Sequence, residues 1–442
     1  MHKSTQLGVR IGFLCFIALL DGMADSCMGP ALRDLQCTFN VTQQQISLLH
    51  PVITAGRVVG SLLFLKMRRC FNIYGIAAAS MTTACCILAS VPLVPIFWIA
   101  LALSGGAGLA DGFTIHAMVL LSGELSKEHA ATIHIIVLAM TAGHFAGPFA
   151  ISLFLSDNHY TYHNGSIFNH INTTFIALNS SVHLQEDICQ SFSSHLKYGF
   201  LLIAGPGVFV LPGYMLAHKS FQKDINTKEN PVKEKTGIIT SSTADGMFLF
   251  IIIIYTTICG NMIFVYGQYL PTFGIHSKLH AGNTQMAYVS ISFYACITIG
   301  RLLGTLCSQV VSQIVLINVC TAGTIMMSVM LVCVSEINIT CLWTGTGILA
   351  AVCGPVFPAI QTWALDSNAH RYVLYGISSI VDTVGYAVMS LLIGQLMASI
   401  FVQMLHYVLF VVSLLQLIMI MLLYLIVRKQ VLSEKNGYSN IE

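Results

Sequence analysis

Apolar runs of about twenty residues recur twelve times along this 442-residue chain and limit its possible folds more than any other feature. A helix needs roughly 20 apolar residues to cross the hydrocarbon core of a bilayer. Only 9% of the residues are charged, whereas soluble domains carry about 25%. Because so few charges cannot cover a water-exposed surface, the chain is predicted to be an all-α polytopic membrane protein.

The apolar runs predict twelve transmembrane helices in two halves of six. The first six spans are predicted near 9–31, 46–66, 73–94, 97–121, 132–155 and 198–217. The second six are predicted near 246–270, 284–308, 313–334, 341–364, 373–396 and 402–427. Two long polar segments interrupt the pattern, an external loop at 156–197 and a lysine-rich linker at 218–245. The predicted units are therefore an N-terminal half (1–217), a cytoplasmic linker (218–245), a C-terminal half (246–427) and a cytoplasmic tail (428–442).

The distribution of basic residues predicts the orientation. With the N-terminus in the cytoplasm, fifteen of the 20 Lys and Arg residues fall in cytoplasmic segments, and the outside loops hold only Arg33, Lys197 and Lys278. This bias matches the positive-inside rule. All five N-x-S/T sequons also fall in predicted outside loops, at Asn40, Asn164, Asn172, Asn179 and Asn338. We therefore expect a multi-pass glycoprotein of the plasma membrane with both termini cytoplasmic.

Several classes of protein are disfavoured by the composition. Twenty basic residues against eighteen acidic ones leave no basic field for nucleic acid. The sequence holds no catalytic motif, no soluble domain to carry one and no zinc-like cysteine spacing, so neither an enzyme nor a metal site is expected. No cofactor is expected beyond a transported sodium ion or proton. Cys37 and Cys189 lie in separate outside loops, where an oxidising compartment allows them to pair.

A short motif is repeated in the two halves. Gly56-Arg57-Val58-Val59-Gly60 lies in span two, and Gly300-Arg301-Leu302-Leu303-Gly304 lies in span eight, 244 residues later. Equivalent positions in each half predict duplicated halves related by an axis along the membrane normal. Arg57 and Arg301 are interpreted mainly as structural or gating charges that snorkel towards the cytoplasm or hold the helix bundle together, with direct substrate contact as the alternative.

Further motifs give the chain a family resemblance over nearly its full length. They are Gly29-Pro30-Ala31-Leu32 with Asp34-Leu35, Asn40-Val41-Thr42, Tyr266-Gly267-Gln268-Tyr269-Leu270 and Gly354-Pro355-Val356-Phe357-Pro358. With them the chain resembles the major facilitator superfamily, and within it the branch of the sodium-dependent glucose transporters. The resemblance implies two six-helix halves around a central pathway, alternating access, a hexose substrate and a functional monomer in the lipid bilayer.

Four acidic residues lie inside predicted spans, where a charge costs about 2.5–3.5 kcal/mol on insertion scales. Asp21 and Asp25 lie one helical turn apart on the same face of span one. The candidates for cation coupling or cavity contact are Asp21, Asp25, Asp111 and Asp382. The alternative for each is a structural hydrogen bond to a neighbouring helix. His116 and His144 are interpreted as packing residues more readily than as proton relays.

The candidate substrate-binding residues have side chains that suit a neutral solute covered with hydroxyl groups. Such a solute is bound by amides and aromatic faces rather than by strong charges. Span seven offers Asn261, Tyr266 and Gln268, and span ten offers Gln361 and Trp363. Aromatic residues near the end of a span also form the ordinary interfacial belt, which is the alternative for Trp363.

The leading functional hypothesis is a secondary transporter for a small polar solute. A hexose such as glucose is favoured, with transport coupled to sodium or protons or operating passively. The alternatives are a carrier for another small organic solute, and a membrane glycoprotein that serves as a receptor or scaffold without transport. The costly intramembrane carboxylates argue against the scaffold.

Overall fold

The computed structural model describes residues 3–126, 131–155, 195–216, 243–308, 310–367 and 371–438. Within these ranges every regular element is helical, and twelve helices are long and apolar enough to cross a membrane. The prediction of an all-α polytopic membrane protein with twelve spans is confirmed. We call the end of the bundle where the first helix ends the outer end, and the opposite end the inner end.

The N-terminal half contains six spans at the predicted positions, and α1 extends beyond both ends of its predicted span of 9–31. They are α1 (Lys3–Phe39), α2 (Leu49–Met67), α3 (Ile73–Ser90), α4 (Phe97–Ser126), α5 (Ala131–Ser152) and α6, which comprises Leu196–Ala204 and Val210–Leu216. A 3₁₀ turn at Gly205–Phe209 interrupts α6, because Pro206 cannot donate a backbone hydrogen bond. A four-residue helix, Gln43–Ile46, precedes α2.

The C-terminal half repeats this arrangement. Its spans are α7 (Thr243–His276), α8 (Asn283–Cys307), α9 (Gln313–Val334), α10 in two segments (Ile339–Cys353 and Val356–Ser367), α11 (Arg371–Ser399) and α12 (Met404–Tyr438). Pro355 lies between the two segments of α10 and accounts for the break. Helix α7 begins inside the predicted linker and α12 continues into the predicted tail, so both helices are longer than their predicted spans.

The repeated motif packs the second helix of the N-terminal half against the fourth. Gly56 faces the backbone of Gly105, and Gly60 faces the backbone of Leu109. A methyl group at either position would overlap a carbonyl oxygen of α4. Small residues four apart permit this close approach of two membrane helices.

The same contact recurs between α8 and α10. Gly300 faces the backbone of Ala351, and Gly304 lies against Pro355. The motif therefore performs the same packing in each half, as expected for duplicated halves.

The two halves are in contact at the outer end. Asn283 Nδ2 at the start of α8 donates a hydrogen bond of 2.6 Å to Asp34 Oδ1 of α1. The rings of His50 and Tyr269 lie 5.5 Å apart, between α2 and α7. Nearby, a Cβ on Gly29 would lie 2.8 Å from the carbonyl oxygen of Gln268. These contacts close the outer end of the bundle.

We expect Gly60→Val to destabilise the bundle, because overpacking costs typically about 1–3 kcal/mol. Gly12→Val is the matched control, since a Cβ at Gly12 meets no atom within 4 Å. The midpoint of heat-induced loss of the monodisperse peak in detergent measures the effect. It should fall by several degrees for Gly60→Val and remain unchanged for Gly12→Val. Equal midpoints for the two variants would contradict the α2–α4 seam.

Candidate functional site

A cavity of about 50 Å³ lies between the halves. Helices α1, α2, α3 and α4 of the N-terminal half form most of its wall, and α7 and α11 complete it. Its polar lining consists of Asp21, Asp25, His50, Thr54, Arg57, Asp111, Gln268 and Tyr386. The structure thus brings together three of the four carboxylates that the sequence proposed for cation coupling or cavity contact.

Arg57 joins two of these carboxylates. Its Nη2 lies 2.8 Å from Asp25 Oδ1, and its Nε lies 2.5 Å from Asp111 Oδ2. The side chains of Arg57, Asp25 and Asp111 are only 11%, 14% and 16% exposed. A planar guanidinium can bind carboxylates on two sides at once, so Arg57 ties α2 to both α1 and α4. Of the two structural interpretations of Arg57, the contacts agree with the one in which it holds the helix bundle together, because its charge is directed into the cavity and not towards the cytoplasm.

The glycine seam between α2 and α4 explains why this ion pair forms. Gly112 faces the carbonyl oxygen of Arg57 so closely that a Cβ there would overlap it. Asp111 is the residue next to Gly112 in sequence. The close approach of the backbones therefore holds the Asp111 carboxylate beside the guanidinium.

Asp25 also faces His144 of α5. His144 Nε2 lies 3.4 Å from Asp25 Oδ2, and Nδ1 lies 2.8 Å from the carbonyl oxygen of Met140. Because a carbonyl oxygen only accepts, we assign the Nδ1 proton to that hydrogen bond. The His144 ring packs 5.1 Å from Phe264 and 5.5 Å from Tyr294. His144 is thus a packing residue, as predicted, and also the carboxylate's neighbour, which the sequence did not indicate.

Asp21 lies one helical turn before Asp25 on α1 and completes the cluster. It is buried, and its carboxyl lies within hydrogen-bonding reach of the Asp111 carboxyl. Three carboxyl groups thus surround the single guanidinium of Arg57, so acidic groups are in excess in this cluster. A buried excess of negative charge is costly unless a cation or proton balances it. A proton or a cation is the kind of species that would balance this excess of carboxyl groups.

Asp382 and Asn261 lie elsewhere, in the contact between α7 and α11. Asp382 Oδ1 accepts a hydrogen bond of 2.7 Å from Thr257 Oγ1, and its carbonyl oxygen accepts one of 2.8 Å from Asn261 Nδ2. Gly385 permits this approach, because a Cβ there would overlap the Thr257 side chain. The structure places both side chains in a helix–helix contact rather than in the lining of the central cavity.

Gln268 is the described member of the substrate-binding set that lines the cavity. Its Nε2 lies 3.4 Å from the carbonyl oxygen of Asp25, and its buried Oε1 has no hydrogen-bond partner among the described residues. Tyr266 instead lies in the core of the C-terminal half, with its hydroxyl 3.1 Å from His406 Nε2. An amide oxygen without a partner beside the cavity is suited to a donor group on a solute.

Trp363 of span ten lies away from the central cavity. Trp363 packs edge-on against Phe248 at 5.6 Å and lines an apolar groove formed with α9 and α12. This position fits the alternative interpretation of Trp363 as an ordinary peripheral aromatic. The backbone of Gln361 belongs to α10, but its side chain lies outside the described residues.

Sequence reasoning missed Tyr386 as a cavity residue. Its ring centre lies 5.3 Å from the Arg57 guanidinium carbon, so it covers the ion-pair cluster from the C-terminal half. Tyr386 lies one helical turn after Asp382 on the same face of α11. The acidic residue attracted attention in the sequence, whereas the tyrosine one turn away contacts the cavity.

At the outer end, Asn40 and Asn338 are exposed. Asn338 Oδ1 accepts a hydrogen bond of 2.9 Å from Thr340 N and thereby caps α10. Cys37 is disulfide-bonded, and its pairing with Cys189 stays a prediction. Cys189 and the sequons at Asn164, Asn172 and Asn179 lie outside the described residues.

We expect Arg57→Gln to destabilise the protein strongly, because removing one partner of a buried ion pair costs about 3–5 kcal/mol. Adding Asp111→Asn should restore part of the loss, since one unpaired carboxylate is then neutral. Arg69→Gln is the matched control, because Arg69 is exposed. Thermal midpoints in detergent are measured for these three variants and for Asp111→Asn alone. An additive effect of the Arg57 and Asp111 changes would contradict the direct pairing.

Sequence comparison finds a distant relative of this chain. No family model matches the chain. The sodium-dependent glucose transporter 1 of Danio rerio is 22% identical over 354 residues, which cover 79% of this chain. The match covers 58% of that relative, so the chain spans less than two thirds of the relative's length.

Solved structures share the fold. A bacterial homolog of the human lysosomal transporter Spinster, inward-facing and unoccupied, superposes with a TM-score of 0.65 at 13% identity, covering 90% of this chain and 84% of that one. The occupied inward-facing form gives 0.62 at 13% identity, covering 95% and 96%. The resemblance predicted from the sequence is thus confirmed, and the chain is a multi-pass membrane protein with the major facilitator fold.

Proposed function

We propose that this protein is a secondary transporter that moves a small polar solute across the membrane by alternating access, coupled to a sodium ion or proton. The observation that carries the proposal is the cluster of Asp21, Asp25 and Asp111 around Arg57, which borders a polar cavity between the halves. A buried cluster with excess negative charge is of little use to an inert scaffold. It is the expected arrangement for a site that binds and releases a cation.

The geometry of the halves supports alternating access. Duplicated halves enclose the cavity, and their outer ends are in contact through Asp34 and Asn283. At about 50 Å³ the cavity has room for one or two water molecules, each of which occupies about 30 Å³ in the liquid. A hexose therefore requires the halves to separate before it can bind. Rocking of one half against the other around a fixed central site provides that separation.

The carboxylate cluster explains how a cation couples to this motion. A ligand shifts a conformational equilibrium only by its difference in affinity for the two states. The carboxylates of Asp21 and Asp111 come from α1 and α4, while Gln268 and Tyr386 come from the other half. A cation that neutralises the cluster lowers the cost of closing the low-dielectric contact between the halves. Closure is thereby linked to cation binding.

The cavity lining supports a hydroxylated solute. Gln268 supplies an amide, Tyr386 a phenol and Thr54 a hydroxyl, and all are groups that exchange hydrogen bonds with sugar hydroxyls. The printed name of the Danio rerio relative, a sodium-dependent glucose transporter, agrees with a hexose. Glucose is accordingly the first solute to test. Another small organic solute is the second candidate, and the surroundings of Arg301 favour it.

The remaining sequence predictions fit this proposal. The protein acts at the plasma membrane as a monomer with both termini cytoplasmic, and Asn40 and Asn338 carry glycans on the extracellular side. The proposed units are the half at 1–217, the linker at 218–245, the half at 246–427 and the tail at 428–442. Attachment at Asn338 uses the amide nitrogen, which leaves the capping oxygen available to α10.

Uptake of labelled glucose into proteoliposomes tests the proposal. The purified protein is assayed with sodium, with choline and with an imposed proton gradient. We expect uptake that depends on one of the two cations. Asp21→Asn should lower the cation-dependent component about tenfold at unchanged protein abundance, because a charged hydrogen-bonding partner is worth roughly 1.5–3 kcal/mol.

Asp382→Asn is the control for this variant. Its carboxylate lies in the α7–α11 contact, and an amide oxygen can still accept from Thr257. It should retain cation dependence. Uptake by the Asp21 variant with the cation response of the unchanged protein would contradict a coupling role for the cluster.

We further expect Gln268→Ala to raise the glucose concentration for half-maximal uptake about tenfold while cation dependence persists. Loss of a hydrogen-bonding group at the solute accounts for this size of effect. Tyr266→Phe is the control, because its hydroxyl contacts His406 in the core. Concentration series of uptake measure both variants. Equal half-maximal concentrations for all three proteins would exclude Gln268 from the solute site.

A further inference from the structure

Arg301 is a half-buried cation in the C-terminal half without a carboxylate partner among the described residues. Its Nη1 donates a hydrogen bond of 2.6 Å to Thr141 Oγ1, and its guanidinium carbon lies 5.7 Å from the centre of the Phe264 ring. Its Nε is buried and has no hydrogen-bond partner in the described part of the chain. Neither contact supplies a negative charge, so the guanidinium lacks a counter-ion.

The repeated motif makes this difference informative. Arg57 and Arg301 occupy the same position in the two copies of the motif, and each lies beside a seam of close helix packing. Arg57 is balanced by Asp25 and Asp111, whereas Arg301 has an uncharged threonine and an aromatic ring. An uncompensated buried charge is strongly unfavourable, and in a membrane it typically marks a ligand pathway.

The surroundings of Arg301 connect it with the central cavity. A cavity of about 20 Å³ adjoins the guanidinium, and its lining includes Phe264, Thr324 and Gln416. Phe264 and Gln268 lie four residues apart on the same face of α7, and Gln268 lines the central cavity. Thr141 belongs to α5 of the other half. Arg301 therefore lies at the interface between the halves, beside Phe264, which is one turn of α7 from Gln268.

We propose that Arg301 binds the carboxylate of the transported solute, so that the substrate class is a sugar acid, such as a hexuronate, rather than a neutral hexose. This inference rests on the proposed function. The guanidinium can donate two parallel hydrogen bonds to a carboxylate, and Nε supplies a donor without a partner. The hydroxyl groups of the same solute remain available to Gln268 and Tyr386.

Charge balance between the halves agrees with this assignment. The carboxylate cluster of the N-terminal half carries excess negative charge and takes up a cation. Arg301 carries the positive charge of the C-terminal half and takes up an anion. Binding of a cation and an organic anion together neutralises both sides of the interface before the halves close over them.

Comparison of the uptake of two matched solutes tests the proposal. D-Glucuronate and D-glucose share the same ring and differ in the group at carbon six. In proteoliposomes, uptake of labelled glucuronate should exceed that of glucose about tenfold, the size expected for a charge-assisted contact. Arg301→Gln should lower the glucuronate-to-glucose uptake ratio about tenfold. Thr141→Val is the control, because it removes the neighbouring hydroxyl and leaves the charge, and it should preserve the ratio.

A binding readout separates this proposal from the proposed function. Glucuronate should raise the thermal midpoint of the purified protein, and it should not raise that of Arg301→Gln. Glucose uptake without any glucuronate preference would overturn the carboxylate assignment and leave the proposed function intact. Absence of uptake for both sugars would overturn the proposed function, while stabilisation by glucuronate would still support the Arg301 site.

Two further outcomes would also overturn the assignment. Equal loss of glucose and glucuronate uptake in Arg301→Gln, with the ratio unchanged, would show a structural or gating role. Stabilisation by chloride equal to that by glucuronate, again lost in Arg301→Gln, would show a site for an inorganic anion instead.

Discussion

The contact of one guanidinium with two carboxylates organises the centre of this protein. Arg57 holds Asp25 of α1 and Asp111 of α4, so three helices of the N-terminal half meet at a single charge. Because the site is buried, removal of Arg57 would leave the two carboxylates unpaired in a low-dielectric environment. The cavity wall, the cation chemistry and the contact with Tyr386 all depend on this arrangement.

Much of the architecture was accessible from the sequence because it follows from simple physical requirements. Span lengths follow from bilayer thickness, and the paired Gly-Arg motifs indicated the duplication. The carboxylates Asp21, Asp25 and Asp111 were identified because intramembrane charge is costly wherever it occurs. These arguments need only the residues within each apolar segment and the recurrence of such segments along the chain.

The partners of those residues were not accessible, since they depend on how distant helices are rotated against each other. Asn261 carries the same amide group as Gln268, and Tyr266 carries a polar hydroxyl on the same helix, yet they face α11 and the core instead of the cavity. Tyr386 and His144 carry no signal in sequence that separates them from packing residues. Only the three-dimensional arrangement of α1, α5, α7 and α11 distinguishes the two groups.

The glycine seams described for α2–α4 and α8–α10 divide the molecule mechanically. Within each half, glycines bring the helices into close contact, with Gly56 and Gly60 against the α4 backbone and Gly300 against the α10 backbone, so there is little space to absorb displacement. Between the halves the described contacts include side-chain contacts, such as Asn283 on Asp34, as well as the approach of Gly29 to the Gln268 backbone. We therefore expect each half to move as a rigid unit, with adjustment at the boundary between the halves. A substitution that loosens a seam would therefore let helices shift within one half. Less of the movement between the halves would then reach the transport pathway.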